Sequence, residues 1–155
     1  MQHLPFLLLG LLCGAPQGGE PAKAPPKKVV YAVVVNAANP ITVSGDAART
    51  VVKDLFLKNL GRWPNGTEAK PYAREAASAA MAGFLKEILG MSEAELARHW
   101  LRQKNTNGTT PPKEVDNDRL VLKFVGKHDG AFGIVLADAA KAEGVKVLCT
   151  FTVTP

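Results

Sequence analysis

The strongest constraint in this sequence is a pair of short, uninterrupted apolar runs, Val29 to Val35 (VVYAVVV) and Ala131 to Leu136 (AFGIVL). Neither is long enough to stand as a helix, and the first is rich in β-branched residues, which lose rotamer freedom in helices. Both read as strands, and the first, apolar at every position, reads as a strand buried on both faces. A third strand is expected from Val145 to Val153. It alternates, with Val145, Val147, Cys149, Phe151 and Val153 on one face and Lys146, Thr150 and Thr152 mostly on the other.

Between the first two strands the spacing changes to that of helices. A helix over Asp46–Asn59, capped by Ser44 or Asp46, places Val51, Val52, Leu55, Phe56 and Leu60 on its inner face, and Gly61 stops it. The stretch from Gly61 to Gly90 organises the rest. It opens with a Trp63-Pro64-Asn65-Gly66 turn that folds Trp63 back onto the core. A polar connector follows, then a helix over 76–89 whose Met81, Phe84, Leu85, Ile88 and Leu89 share one face. Ser92 and Glu95 form a capping box for a short helix that points Leu96 and Trp100 inward. Gln103 to Pro112 is expected as a polar loop with Asn107-Gly108 at its tip. Asp116 or Asn117 caps a further helix striped with Leu120, Val121, Phe124 and Val125, and Asp129-Gly130 turns the chain into the second strand. Ala137 to Gly144 is a short helical or looped connection. Strand, several helices, strand, strand: the order is that of a small α/β domain.

With 155 residues and no internal repeat, one domain is expected over 29–155. Residues 1–15 read as an export signal. Leu4 to Leu12 is nearly all apolar yet far short of the roughly 20 residues a membrane span needs. Cys13 also raises a lipoprotein reading, weakened by Leu12 where a small residue is expected, and a buried N-terminal helix is a third alternative. Residues 16–28, rich in Pro, Gly and Lys, form a linker. The expected location is the periplasm or outside the cell, with membrane contact only through the signal or Cys13. Removal of the signal would leave Cys149 as the one cysteine, a buried and inert thiol. The net charge of +5 is spread along the chain, which argues against nucleic acid.

Catalytic constellations are missing from the sequence. There is no nucleophile elbow, no phosphate-cradling glycine loop and no Cys or His pair at metal spacing, so neither an enzyme nor a cofactor is expected. His99 and His128 read as structural or exposed histidines, and Glu93 and Glu95 as first-turn helix acids. Asn65-Gly66-Thr67 and Asn107-Gly108-Thr109 match glycosylation acceptors in form but read as turns. One pair points to a ligand. Arg74 and Ser78 stand at the start of the 76–89 helix, a cation and a hydroxyl near unpaired helix N–H groups, and such a set can hold an anion. The alternative reading is a surface arginine and a helix-cap serine.

Several segments in fixed order carry a resemblance: Asn39-Pro40, Leu55-Phe56-Leu57, Arg62-Trp63-Pro64-Asn65-Gly66-Thr67, the helix with Phe84 and Leu89-Gly90, Pro111-Pro112, and Gly130 to Val135. The chain resembles the phosphate-binding proteins of phosphate ABC transporters, above all their short single-domain relatives, over about Val34 to Ala140. The resemblance implies a single small three-layer α/β domain like one lobe of a type II periplasmic binding protein. It also implies that phosphate or a related oxyanion is the ligand. In that family an Arg-x-Asp-Gly-Ser-Gly-Thr segment grips the anion. Arg74 matches its arginine and Ser78 its serine, whereas Ala76 and Ala80 replace its aspartate and threonine, and Ala77 and Ala79 its glycines. One lobe offers one wall of a cleft, so a second copy or another envelope protein would have to supply the other. Two functions stay open: a non-enzymatic solute-binding module for an oxyanion, or a ligand-free interaction module that keeps the fold.

Overall fold

The computed structural model describes residues 23–155. The expected export signal and Cys13 lie outside the described residues, as does the first part of the linker. Lys23 to Lys28 are exposed and in no regular element.

Five strands form one mixed sheet: β1 Val29–Asn36, β2 Lys70–Arg74, β3 Lys113–Val115, β4 Ala131–Leu136 and β5 Val145–Val153. The spatial order is β3-β2-β4-β1-β5. Strands β2, β3 and β4 run parallel, while β1 is antiparallel to both β4 and β5. Central β1 explains its own composition. Val33 and Val35 face the core shared with α1 (Gly45–Phe56) and α2 (Ala79–Phe84), and Ala32 and Val34 face the core shared with α4 (Asp118–Lys127). From Ala32 to Val35 every position is buried because both faces are covered, which makes three layers, whereas Val30 near the strand's start is 42% exposed. The α/β domain foreseen from the sequence is the fold observed.

The helix foreseen over 76–89 begins at Ala79, with Ser78 as its N-cap, and Ala76 and Ala77 lie in the preceding turn. It continues past Phe84 as one π-helical turn, Leu85–Leu89, and ends at Gly90 in the left-handed region (φ 63°). All five residues of its apolar stripe are buried. Gly83 lets it lie close against β5, since a Cβ there would sit 2.2 Å from a Val153 methyl. Helix α3 (Glu93–Asn107) departs more. It runs through the residues expected as a loop, and Gly108 (φ 69°) is its C-terminal cap, not a loop tip. None of its fifteen residues is buried, and only Leu96 and Trp100 lean on the core.

Two strands were not foreseen. β2 (KPYAR) has a single buried residue, Ala73, and owes its extension to parallel pairing with β3 and β4. β3 is three residues long. In β5 a bulge at Leu148 breaks the expected alternation: Val33 pairs with Cys149 but Val34 with Val147. Leu148, Cys149 and Phe151 face the α1–α2 core, and Val147 is left 46% exposed. Leu60, expected on the inner face of α1, follows the helix and is 47% exposed.

Candidate functional site

In an open sheet with parallel strands, ligands sit outside the strands' carboxyl ends, where connecting helices present their N-termini. Here that edge is formed by Arg74 closing β2, Val115 closing β3 and Leu136 closing β4. The chain passes from β2 to α2 through Ser78 and from β3 to α4 through Asn117, whose side chain accepts from the Leu120 N–H at 2.9 Å. Beside them opens a surface cavity of about 540 Å³, bordered by Tyr31, Arg74, Asp116 to Arg119 and Leu136.

Arg74 is thus a strand-end residue and not a helix-start one. Its side chain is 12% exposed and follows Tyr72 toward the α4 side of the sheet, because Ala73 between them faces α1 and α2. There it forms a close ion pair through Nη1 with the carboxylate of Asp118, the first residue of α4. Nη1 also donates to the Ile134 carbonyl at 3.3 Å, and Nη2 to the Asp116 carbonyl at 3.1 Å. The second oxygen of Asp118 accepts from the Leu136 N–H at 3.1 Å. A carboxylate at a helix start, hydrogen-bonded and paired with arginine, is favoured three times over. Arg74 Nε is buried and has no acceptor.

Ser78 lies on the other side. Its hydroxyl donates to the Glu75 carbonyl at 2.6 Å and accepts from the Met81 N–H at 3.2 Å, so it closes the α2 cap. The two residues belong to the same edge, but each is occupied by the protein's own groups, and their side chains serve opposite faces of the sheet. Asp118 is the member of this site that the sequence reading missed. Its one signal was an acid in the first turn of an amphipathic helix, which by itself indicates only a helix start.

Elsewhere, the Nε2–H of His99 meets the Leu57 carbonyl at 2.9 Å, tying α3 to the end of α1. Cys149 is buried, and desolvation pushes its thiol up to about 11, only partly offset by the nearby charge of Arg49. Among the described residues no group of three His, Cys, Asp or Glu side chains is placed to hold a metal ion, and no helix is long and apolar enough to cross a membrane.

No protein-family model and no curated protein sequence matches this chain. Solved structures do. The chain is similar to an ABC-type phosphate transport receptor from Vibrio cholerae (TM-score 0.58, 18% identity, covering 82% of this chain and 50% of that one). It is also similar to PstS from Borrelia burgdorferi (TM-score 0.55, 10% identity, 79% and 49%). A third is a putative phosphate ABC transporter substrate-binding protein from Clostridium perfringens, solved with bound phosphate (TM-score 0.53, 14% identity, 83% and 56%). This chain spans about half the length of each. The resemblance read from the sequence therefore holds for the fold: the described residues have the architecture of about half of a phosphate ABC transporter binding protein, the extent of one lobe.

Proposed function

We propose that this chain is an exported, non-enzymatic module that keeps the phosphate-receptor fold and works by contact with another envelope protein, its edge arginine being satisfied from within. Asp118 is the observation that carries this reading. An oxyanion approaching Arg74 has to displace a carboxylate that is also held by the Leu136 N–H and by the start of α4. Two further N–H groups of Arg74 are engaged by carbonyls. The described residues supply one wall, and a ligand desolvated on one side only gains little from each polar contact.

The test is the melting temperature with and without millimolar phosphate, with sulfate and chloride at matched ionic strength as controls. No phosphate-selective shift is expected. Ligand at a hundredfold excess over its dissociation constant adds about 2.7 kcal/mol, so a working site would be evident, and a selective rise would overturn the proposal.

A second reading keeps phosphate or a related oxyanion as ligand, held by Arg74, while Ser78, expected from the sequence as its companion, stays with the α2 cap. It is favoured by the buried Arg74 Nε that lacks an acceptor. On this reading Asp118 occupies the anion's place, so Asp118→Asn gains phosphate binding and adding Arg74→Ala removes it. A D118N variant that ignores phosphate eliminates this second reading.

A further inference from the structure

Beneath α3 lies a groove of about 230 Å³ that neither reading of Arg74 uses. Its floor is the buried surface of Phe56, Met81 and Leu85. Helix α3 forms one wall with Leu96, Ala97 and Trp100, and Pro111 and Pro112 form the other. The helix is poorly anchored for its length, with no buried residue, and Trp100 is only half-buried over this apolar space. Apolar walls facing a gap forgo dispersion contacts that a bound group would restore.

The polar groups at the margin give the chemistry. Glu93 and Glu114 are exposed, border the groove and take part in no ion pair among the described residues. Arg74 also borders it, but its charge is already met by Asp118. Lys58, near the proline wall, has its ammonium on the Thr110 carbonyl at 2.8 Å. The groove is therefore apolar inside and negative at its margin. Its volume lies below the ~300 Å³ at which pockets for drug-sized molecules begin.

We infer that this groove binds a small organic cation: an amine carried on a compact aromatic or branched apolar body. The apolar part lies against Trp100, Met81 and Pro111, and the ammonium is shared between Glu93 and Glu114. Carboxylates and phosphates of the same size are repelled. This inference does not rest on whether Arg74 holds an oxyanion: the ligand has the opposite sign and is held by Glu93, Glu114 and Trp100, with Arg74 only at the margin.

The experiment titrates the ¹⁵N-labelled protein with 2-phenylethylamine, 2-phenylethanol and phenylacetate, three probes of one shape and different charge. Saturable shifts are expected for the amine at amides of 96–100 and of Lys113 and Glu114. The alcohol should bind several-fold more weakly and the acid not at all. Glu93→Gln with Glu114→Gln should weaken the amine about tenfold, the sum expected of two partly exposed ion pairs. Ala97→Phe, which fills the groove from an exposed position of α3, should abolish binding of the amine with the fold unchanged. Equal binding of all three probes, an unaltered affinity in the double glutamine variant, or no saturable shift with the amine would each overturn the assignment.

Discussion

The indole Nε1–H of Trp63 donates to the carbonyl of Gly130 at 2.9 Å, across 67 residues of sequence. The same carbonyl accepts from the Lys70 N–H at 2.9 Å, so one oxygen joins the turns that lead into the neighbouring parallel strands β2 and β4. Trp63 then packs edge-on against Phe132, with ring centroids 5.3 Å apart. Asn39 and Asn65 complete the fastening: Asn65 Nδ2 donates to Asn39 Oδ1 at 2.7 Å, and Asn39 Nδ2 to the Asp129 carbonyl at 2.9 Å. Three of the segments that carry the resemblance, around Asn39, Trp63 and Gly130, thus secure the amino edge of the sheet, at the opposite end of the strands from Arg74.

Gly130 has no room for a side chain, because a Cβ would stand 1.7 Å from the Glu68 carbonyl oxygen. Gly130→Ala should cost about 3 kcal/mol or more, in the range of forced overpacking. Trp63→Phe should cost about 1–3 kcal/mol, as it loses the hydrogen bond and some buried surface while the Gly130 carbonyl keeps Lys70. Denaturant unfolding of both variants checks this ranking. A Gly130→Ala protein as stable as the parent would contradict the packing described.

Arg74 and Asp118 should behave as a coupled unit. Either Arg74→Ala or Asp118→Ala leaves a largely buried charge without its partner, an expected loss of about 1–3 kcal/mol, below the full cost for a completely buried pair because both side chains keep some solvent contact. The double variant should lose less than the two single losses added together. A double-mutant cycle measured by urea unfolding at low ionic strength gives the coupling. Strict additivity would show that the ion pair contributes nothing to the fold.

How far the sequence foretold this follows from where each signal resides. β1, α1, α4 and β4 carry their own periodicity or an unbroken apolar run, so Val29–Asn36 and the stripe through Val121 and Val125 could be read without the rest of the chain. β2 could not, because Pro71 and two flanking cations contradict a strand, and the ladder to β3 starts only at Tyr72, past the proline. The polar C-terminal half of α3 resembled a loop because it has no buried face, and its helix rests on the Ser92 box and the Gly108 cap. The bulge at Leu148 moved Val147 to the other face, which no alternation count reveals. The site was half legible. Arg74 and Ser78 were visible as a cation and a cap, but Asp118 is 44 residues from Arg74, and only the β2–β4 pairing with α4 above brings them together.

Cys149 gives a prediction with a defined pH window. Burial raises its thiol from an ordinary 9.0 to about 11 in the folded chain. The unfolded chain releases that proton first, so the native state binds more protons between the two values, and stability falls as pH rises through the window. The contribution is fully present below about pH 9 and lost by about pH 11, up to roughly 3 kcal/mol. Cys149→Ala should flatten this part of the stability profile. Alkylation by iodoacetamide should be slow at pH 8 in the native state and rapid in guanidinium. Equal rates in the two states would mean that the thiol is not desolvated.

Helix α3 should come loose before the rest of the domain. Its start is held by a reciprocal box in which the Ser92 N–H donates to Glu95 at 2.7 Å and the Glu95 N–H to the Ser92 hydroxyl at 3.2 Å. The Ser92 backbone N–H, then its hydroxyl, hold the Glu95 carboxyl below the ordinary range. A lowered carboxylate pKa stabilises the folded form above the unfolded value, and that support is lost as pH falls through the folded one. Ser92→Ala removes half the box, typically about 1 kcal/mol. Because no residue of α3 is buried, the loss should appear locally, as faster amide exchange over 93–107, with the global unfolding midpoint almost unmoved. Acidification below the carboxylate range should do the same to the parent protein. If Ser92→Ala instead lowered the global midpoint and left exchange in α3 unchanged relative to the core, the helix would be part of the cooperative unit, and the groove beneath it would be a fixed feature of the domain.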